Sequence, residues 1–143
     1  MSDWQAYWAQ YDYTKPVEDA LKAEFGVSFG LWNTGGGCIC LGATLEGGYE
    51  ILVGSGIDGP LWRNDEREQY KAEHGWYDGY GVGVYDSEDG YTLAYVSDAL
   101  ANDTDVPALL MRALSMVPLS DSESYATWER KPDGTIAERR YPK

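Results

Sequence analysis

The stretch CICLGATLEGGYEILV, from Cys38 to Val53, decides how this chain is read. Two short apolar runs, Cys38–Leu45 and Tyr49–Val53, flank Glu46-Gly47-Gly48. Side chains on a strand alternate between faces, so Ile39, Leu41 and Ala43 share one face and Cys38, Cys40 and Gly42 the other. Apolar runs joined by glycine-rich turns predict an antiparallel meander. On the N-terminal side, Val27–Trp32 predicts a preceding strand, with Asn33-Thr34-Gly35-Gly36-Gly37 as its turn. On the C-terminal side, Tyr80–Tyr85 and Tyr91–Val96 predict a fourth and fifth strand around Asp86-Ser87-Glu88-Asp89-Gly90.

The flanks switch to helical spacing. Ser2 is placed to cap a first helix, and Trp4, Tyr7, Trp8 and Tyr11 fall on one of its faces, as core or as a docking surface. Thr14 is a cap for a second helix with Pro16 in its first turn, Val17, Ala20, Leu21 and Phe25 inward and Gly26 as its stop. Val106–Val117 is the clearest helix. Asp105 can cap it, and Val106, Leu109, Leu110, Ala113, Leu114 and Val117 form a wide apolar stripe that needs a sheet face. Asn64–His74 predicts a short surface helix capped by Asn64 or Asp65, without an apolar stripe. A last hairpin runs through Tyr125–Arg130, Pro132-Asp133-Gly134 and Thr135–Arg140. The expected fold is one α+β domain over 1–143. An antiparallel sheet of about five strands carries helices on one face, with a polar insertion at 54–79 and a C-terminal hairpin at 124–143.

Composition narrows the function. The chain has 143 residues, 24 acids against 11 bases and a net charge of −13. Direct nucleic-acid binding by counterion release is excluded on that balance. No run of about 18 apolar residues predicts a membrane span, and the N-terminus has no secretory pattern, which predicts a cytoplasmic protein. The acid is uneven: Met1 to Glu123 holds 21 acids and 6 bases, whereas Ser124 to Lys143 holds 3 acids and 5 bases.

Motifs for chemistry are sparse. Gly54-Ser55-Gly56-Ile57-Asp58-Gly59 matches a dinucleotide fingerprint in letters, but Pro60 follows where a helix should begin, and Asp58 opposes a pyrophosphate; it reads as a loop. Cys38 and Cys40 read as two buried reduced thiols. They could join His74, the single histidine, only if the fold brought all three together. No catalytic group, cofactor or metal is expected.

Part of the chain resembles a group of small proteins of actinobacteria and their phages. The likeness lies in Glu24-Phe25-Gly26-Val27, Thr34-Gly35-Gly36-Gly37-Cys38, Ala43-Thr44-Leu45-Glu46-Gly47-Gly48-Tyr49, Ile51-Leu52-Val53, Gly83-Val84-Tyr85-Asp86 and the helix that follows. It covers about half of the chain and departs over Trp62–Gly79 and Ser124–Lys143. The resemblance implies a phage accessory protein acting in the host cytoplasm.

These readings converge on a non-enzymatic acidic interaction protein that binds and modulates a host protein with a basic surface. Aromatic anchors ringed by acid point to Trp62, Glu66, Glu68, Trp76 and Tyr77 as the partner-binding residues. The alternatives are an acidic inhibitor that mimics nucleic acid, and a ligand binder or enzyme around Cys38, Cys40 and His74.

Overall fold

A computed structural model describes residues 6, 8–34, 38–56, 59–117 and 124–142. Ser2, Trp4, Tyr7, Gly35 to Gly37 and Asp58, each given a part above, lie outside that set. The described residues form one α+β domain. In chain order they build α1 (Lys15–Phe25), β1 (Gly30–Asn33), β2 (Ile39–Leu45), β3 (Tyr49–Ser55), α2 (Asn64–His74), β4 (Tyr80–Asp86), β5 (Thr92–Asp98), α3 (Val106–Met116), β6 (Ser124–Arg130) and β7 (Ile136–Pro142).

The sheet corrects the expectation in two ways. It has seven strands rather than about five, because the C-terminal hairpin joins the main sheet. It is also mixed, not antiparallel. The order is β1-β2-β3-β4-β5-β6-β7, and all neighbours are antiparallel except β5 and β6, which are parallel. The reason is α3, which carries the chain back so that β6 starts beside the start of β5, as parallel pairing requires.

Register separates two faces. Leu31, Leu41, Val53, Val82, Val96 and Trp128 form one row across the sheet. Ala43, Ile51, Val84, Ala94 and Ala126 form another on the same face. All of these but Leu31 are buried. Against them α3 packs Val106, Leu109, Leu110 and Ala113 on β4 and β5, and α1 packs Val17 and Leu21 on α3. The expected stripe of α3 is thus its core face. Among the described residues twelve large side chains, eleven aliphatic and Tyr80, are fully buried, and burial of each contributes roughly 1.5–3 kcal/mol, which is why the layer sets the stability of the domain.

Helices do not all lie on that face. α2 has no buried residue and packs beside a 3-10 turn, Ala9–Thr14, instead of on the sheet. The turn is kinked at Tyr11, which is buried, and Trp8 packs against the core. These two members of the aromatic stripe are therefore core residues.

The helix ends follow the sequence only in part. Gly26 stops α1 at φ 70°, its N–H donating to Lys22 O. Thr14 does not cap; its hydroxyl donates back to Tyr11 O at 2.8 Å. Asp105 precedes α3 without a side-chain cap, and its carboxylate instead accepts the Asn102 N–H at 2.8 Å. Arg63, not Asn64 or Asp65, holds the cap position of α2, and Glu66 accepts its N–H at 3.0 Å. No helix among the described residues is long and apolar enough to cross a membrane.

Candidate functional site

The segment from Gly54 to Gly79 leaves β3, carries α2 and returns into β4. The glycine-rich start is a closed loop: Ser55 bridges to Gly59, whose carbonyl fills the place of a Gly54 Cβ. Gly56 sits at φ 51° under the carboxylate of Asp78. No helix opens at the third glycine, and the room for a pyrophosphate is taken by the chain itself.

Hydrogen bonds tie the next residues to the body. Leu61 is buried, and its N–H donates to Ile39 O at 2.8 Å. Trp62 donates its N–H to Ser55 Oγ at 3.0 Å and accepts the Tyr13 hydroxyl on its carbonyl at 2.8 Å. The Asn64 amide donates to Ala9 O at 3.1 Å and to Asp12 Oδ1 at 2.7 Å.

One arginine fixes the helix itself. The Arg67 guanidinium lies 4.3 Å from the centre of the Tyr13 ring and 3.9 Å from that of Tyr77. Its Nη2 is 3.2 Å from Asp103 Oδ1, which also accepts the Tyr80 hydroxyl at 2.5 Å. A cation between two π faces and a carboxylate is attracted by each, the more so where water is scarce. Burial pushes the Tyr13 and Tyr80 hydroxyls up, and for Tyr80 the Asp103 bond adds to this, so both stay protonated donors at neutral pH.

The five partner-binding candidates divide between two sides of α2. Trp62 and Trp76 flank Tyr70, with ring centres 5.6 and 5.7 Å from it, and His74 completes the group 4.2 Å from Tyr70. Tyr77 lies with Arg67 and Lys71 and donates its hydroxyl to Glu68 Oε1 at 2.7 Å. Glu66 caps the helix start. The bases of α2 are thus turned onto Tyr77, while Asp65, Glu68 and Glu73 are exposed. Behind them Asp78 is half-buried and accepts the Tyr70 hydroxyl at 3.3 Å. Burial raises its carboxyl above the usual aspartate range, against the pull of Trp62, Tyr70 and His74.

The cysteines differ from the expectation of two buried thiols. Cys38 is exposed and Cys40 half-buried, because their strand turns them to the face opposite the core. They line a hollow of about 180 Å³ on that face. His74 does not line it and sits in the ring group of α2. Burial, with the Cys38 sulfur beside it, pushes the Cys40 thiol up, away from the thiolate a nucleophile needs. Among the described residues no group of three His, Cys, Asp or Glu side chains is placed to hold a metal ion.

Sequence reasoning missed Arg67, Tyr13, Tyr80 and Asp103. Their partners are far apart in the chain, and no spacing marks a cation between two rings. No family model, curated protein or solved structure matches the chain.

Proposed function

We propose that this chain is an acidic interaction protein that docks on a basic surface of a protein partner through α2 and the aromatic groups beside it. The observation that supports it most is the division of charge on α2. Arg67 is largely covered between Tyr13 and Tyr77 and Lys71 lies over the Tyr77 ring, whereas three acids, Asp65, Glu68 and Glu73, are exposed, Glu68 while accepting the Tyr77 hydroxyl. The helix buries nothing in its own fold, yet Arg67, Asn64 and the Trp62 backbone hold it in place. A rigid, pre-ordered helix loses less freedom on binding than a loose loop. Outward acid raises the rate of encounter with a basic partner, and half-exposed Trp76 and Tyr77 supply anchor area once contact is made. The expected partner is a bacterial host protein, a reading that rests on the partial likeness to phage proteins in the sequence alone. The function needs no catalytic step.

The test is affinity capture from a bacterial lysate at low salt, with the triple variant D65N/E68Q/E73Q beside the native chain. One protein retained by the native chain and lost with the variant supports the reading. Equal capture by both, or none, overturns it. If the captured protein binds nucleic acid and the chain displaces that nucleic acid, the interaction takes the form of mimicry.

A further inference from the structure

The face of the sheet opposite α1 and α3 is built unlike an ordinary solvent face. Gly42, Leu52, Gly83, Tyr95, Thr127 and Arg139 form a row across it, and Gly54, Gly81, Ser97 and Glu129 form the next. Glycine stands at four of these positions, and at three of them, all but Gly54, an aromatic side chain lies where the missing side chain would be. Ring atoms of Trp32 occupy the place of a Gly42 Cβ, those of Tyr85 the place of a Gly83 Cβ, and the Tyr95 hydroxyl end the place of a Gly81 Cβ. The rings therefore lie along the sheet instead of standing on it, each half-buried. Farther along, Tyr125 and Tyr141 stack at 4.9 Å on the same face.

Two hollows, of about 180 and about 320 Å³, cut this face and share Tyr85 and Tyr95 as their common wall. The larger adds the hydroxyls of Thr92, Ser97 and Thr127, the Glu129 carboxylate and Tyr141. No Lys or Arg lines either hollow.

We propose that this groove binds a neutral oligosaccharide. A pyranose presents a patch of weakly positive C–H groups on its ring face and hydroxyls around its rim. Flat tyrosine faces attract the first, since the ring face is the negative part of its quadrupole. Hydroxyls and a carboxylate satisfy the second, the carboxylate by accepting two sugar O–H groups. Arg139 stands beside Thr127 in the row but lines neither hollow, and the acid at Glu129 within the larger one disfavours a phosphate or sulfate ligand. An extended peptide cannot add here as a strand, because the floor is a sheet face whose backbone groups are spent in ladders on both sides. A groove in two linked hollows suits a chain of sugars better than one. The proposal is independent of the α2 surface.

The experiment is isothermal titration with neutral tetrasaccharides (cellotetraose, chitotetraose and maltotetraose) after a screen on an array of neutral glycans. Binding to at least one class is expected. It should change little between 50 and 500 mM salt, unlike the α2 interaction, and persist in W76A. Y95A should weaken it roughly tenfold, the worth of one good ring contact. E129Q, which keeps the shape, should weaken it several-fold, and this variant stands if Y95A does not fold. No binding across the array, or equal binding by E129Q and Y95A, overturns the proposal. Tighter binding of a polyproline decapeptide than of any glycan overturns it as well and assigns the groove to a peptide.

Discussion

At the scale of single residues, most polar side chains with a structural duty gather where strands end. Asp98 closes β5 with its carboxylate buried, and Arg130 at the end of β6 answers it with two bonds, at 2.7 and 2.5 Å. The Leu100 N–H adds a third. This pair locks the parallel joint at one end, and a buried carboxylate left without its partner costs about 3–5 kcal/mol. Arg67 does the same for α2 with rings instead of strands. Its side chain is only 17% exposed, so R67A should lose about 2–3 kcal/mol in urea unfolding. Amide exchange across Asn64–His74 should speed up in the same variant. A loss below about half a kcal/mol would mean that the guanidinium does not hold the helix. Asp78 gives a test with a sign. Its folded-state pKa is raised, so the native protein takes up that proton at a higher pH than the unfolded chain. The ionised form thus costs stability at neutral pH, and the cost is relieved as pH falls through the folded value. D78N should flatten that part of the stability curve, on the alkaline side of the usual aspartate range, without weakening the protein at pH 7. Marked destabilisation of D78N at pH 7 alone would show that the anion is a stabilising group.

Elements differ in how far their own sequence declares them. α3 declares itself best: Pro107 and the inward Val106, Leu109, Leu110 and Ala113 are as the spacing demands, although Asp105 does not cap it and Leu114 is only half-buried. Leu110 has no exposed surface, so L110A should cost ~2–5 kcal/mol by thermal or urea unfolding. The bounds of α2 were legible at Asn64 and His74 from composition alone. How it is held was not, because it docks by a cation and hydrogen bonds, which leave no periodic trace. The strands were legible as alternating runs, and the parallel joint was not, since the alternation of β6 fits either direction of pairing. A glycine within a strand ordinarily weakens it, and Tyr80–Tyr85 holds two, Gly81 and Gly83. In the fold they seat the Tyr95 and Tyr85 rings, a relation between positions that neither position shows alone. The flanking tryptophans of α2 should separate by role. W62A is expected to lower the melting temperature, because Trp62 sits between the body and Tyr70. W76A should leave melting nearly unchanged and weaken partner binding by roughly 2 kcal/mol. The reverse pattern would place the contact surface elsewhere.

For the whole molecule, charge and topology set behaviour that no single contact does. A net charge of −13 makes association with a basic partner a long-range event. Neutralising Asp65 and Glu73, whose bonds in the fold are exposed ones to Arg63, the Glu66 N–H and Gln69, should slow association and flatten its dependence on salt, with dissociation little changed. Association rates insensitive to both would leave the acid with a solubility role only. The strand order has a different outcome. Because every strand pairs with its neighbour in sequence, a chain leaving the ribosome finds each β partner already made. Loops to be closed are short between β1, β2 and β3, between β4 and β5 and between β6 and β7, which favours rapid, vectorial assembly as synthesis proceeds. The β3–β4 and β5–β6 joints must wait, each until the helix between its strands, α2 or α3, has emerged. The stretch that forms β6 and β7 is also rich in base, with 5 bases to 3 acids against 6 to 21 in what precedes it, so the arriving hairpin meets a body whose charge draws it in.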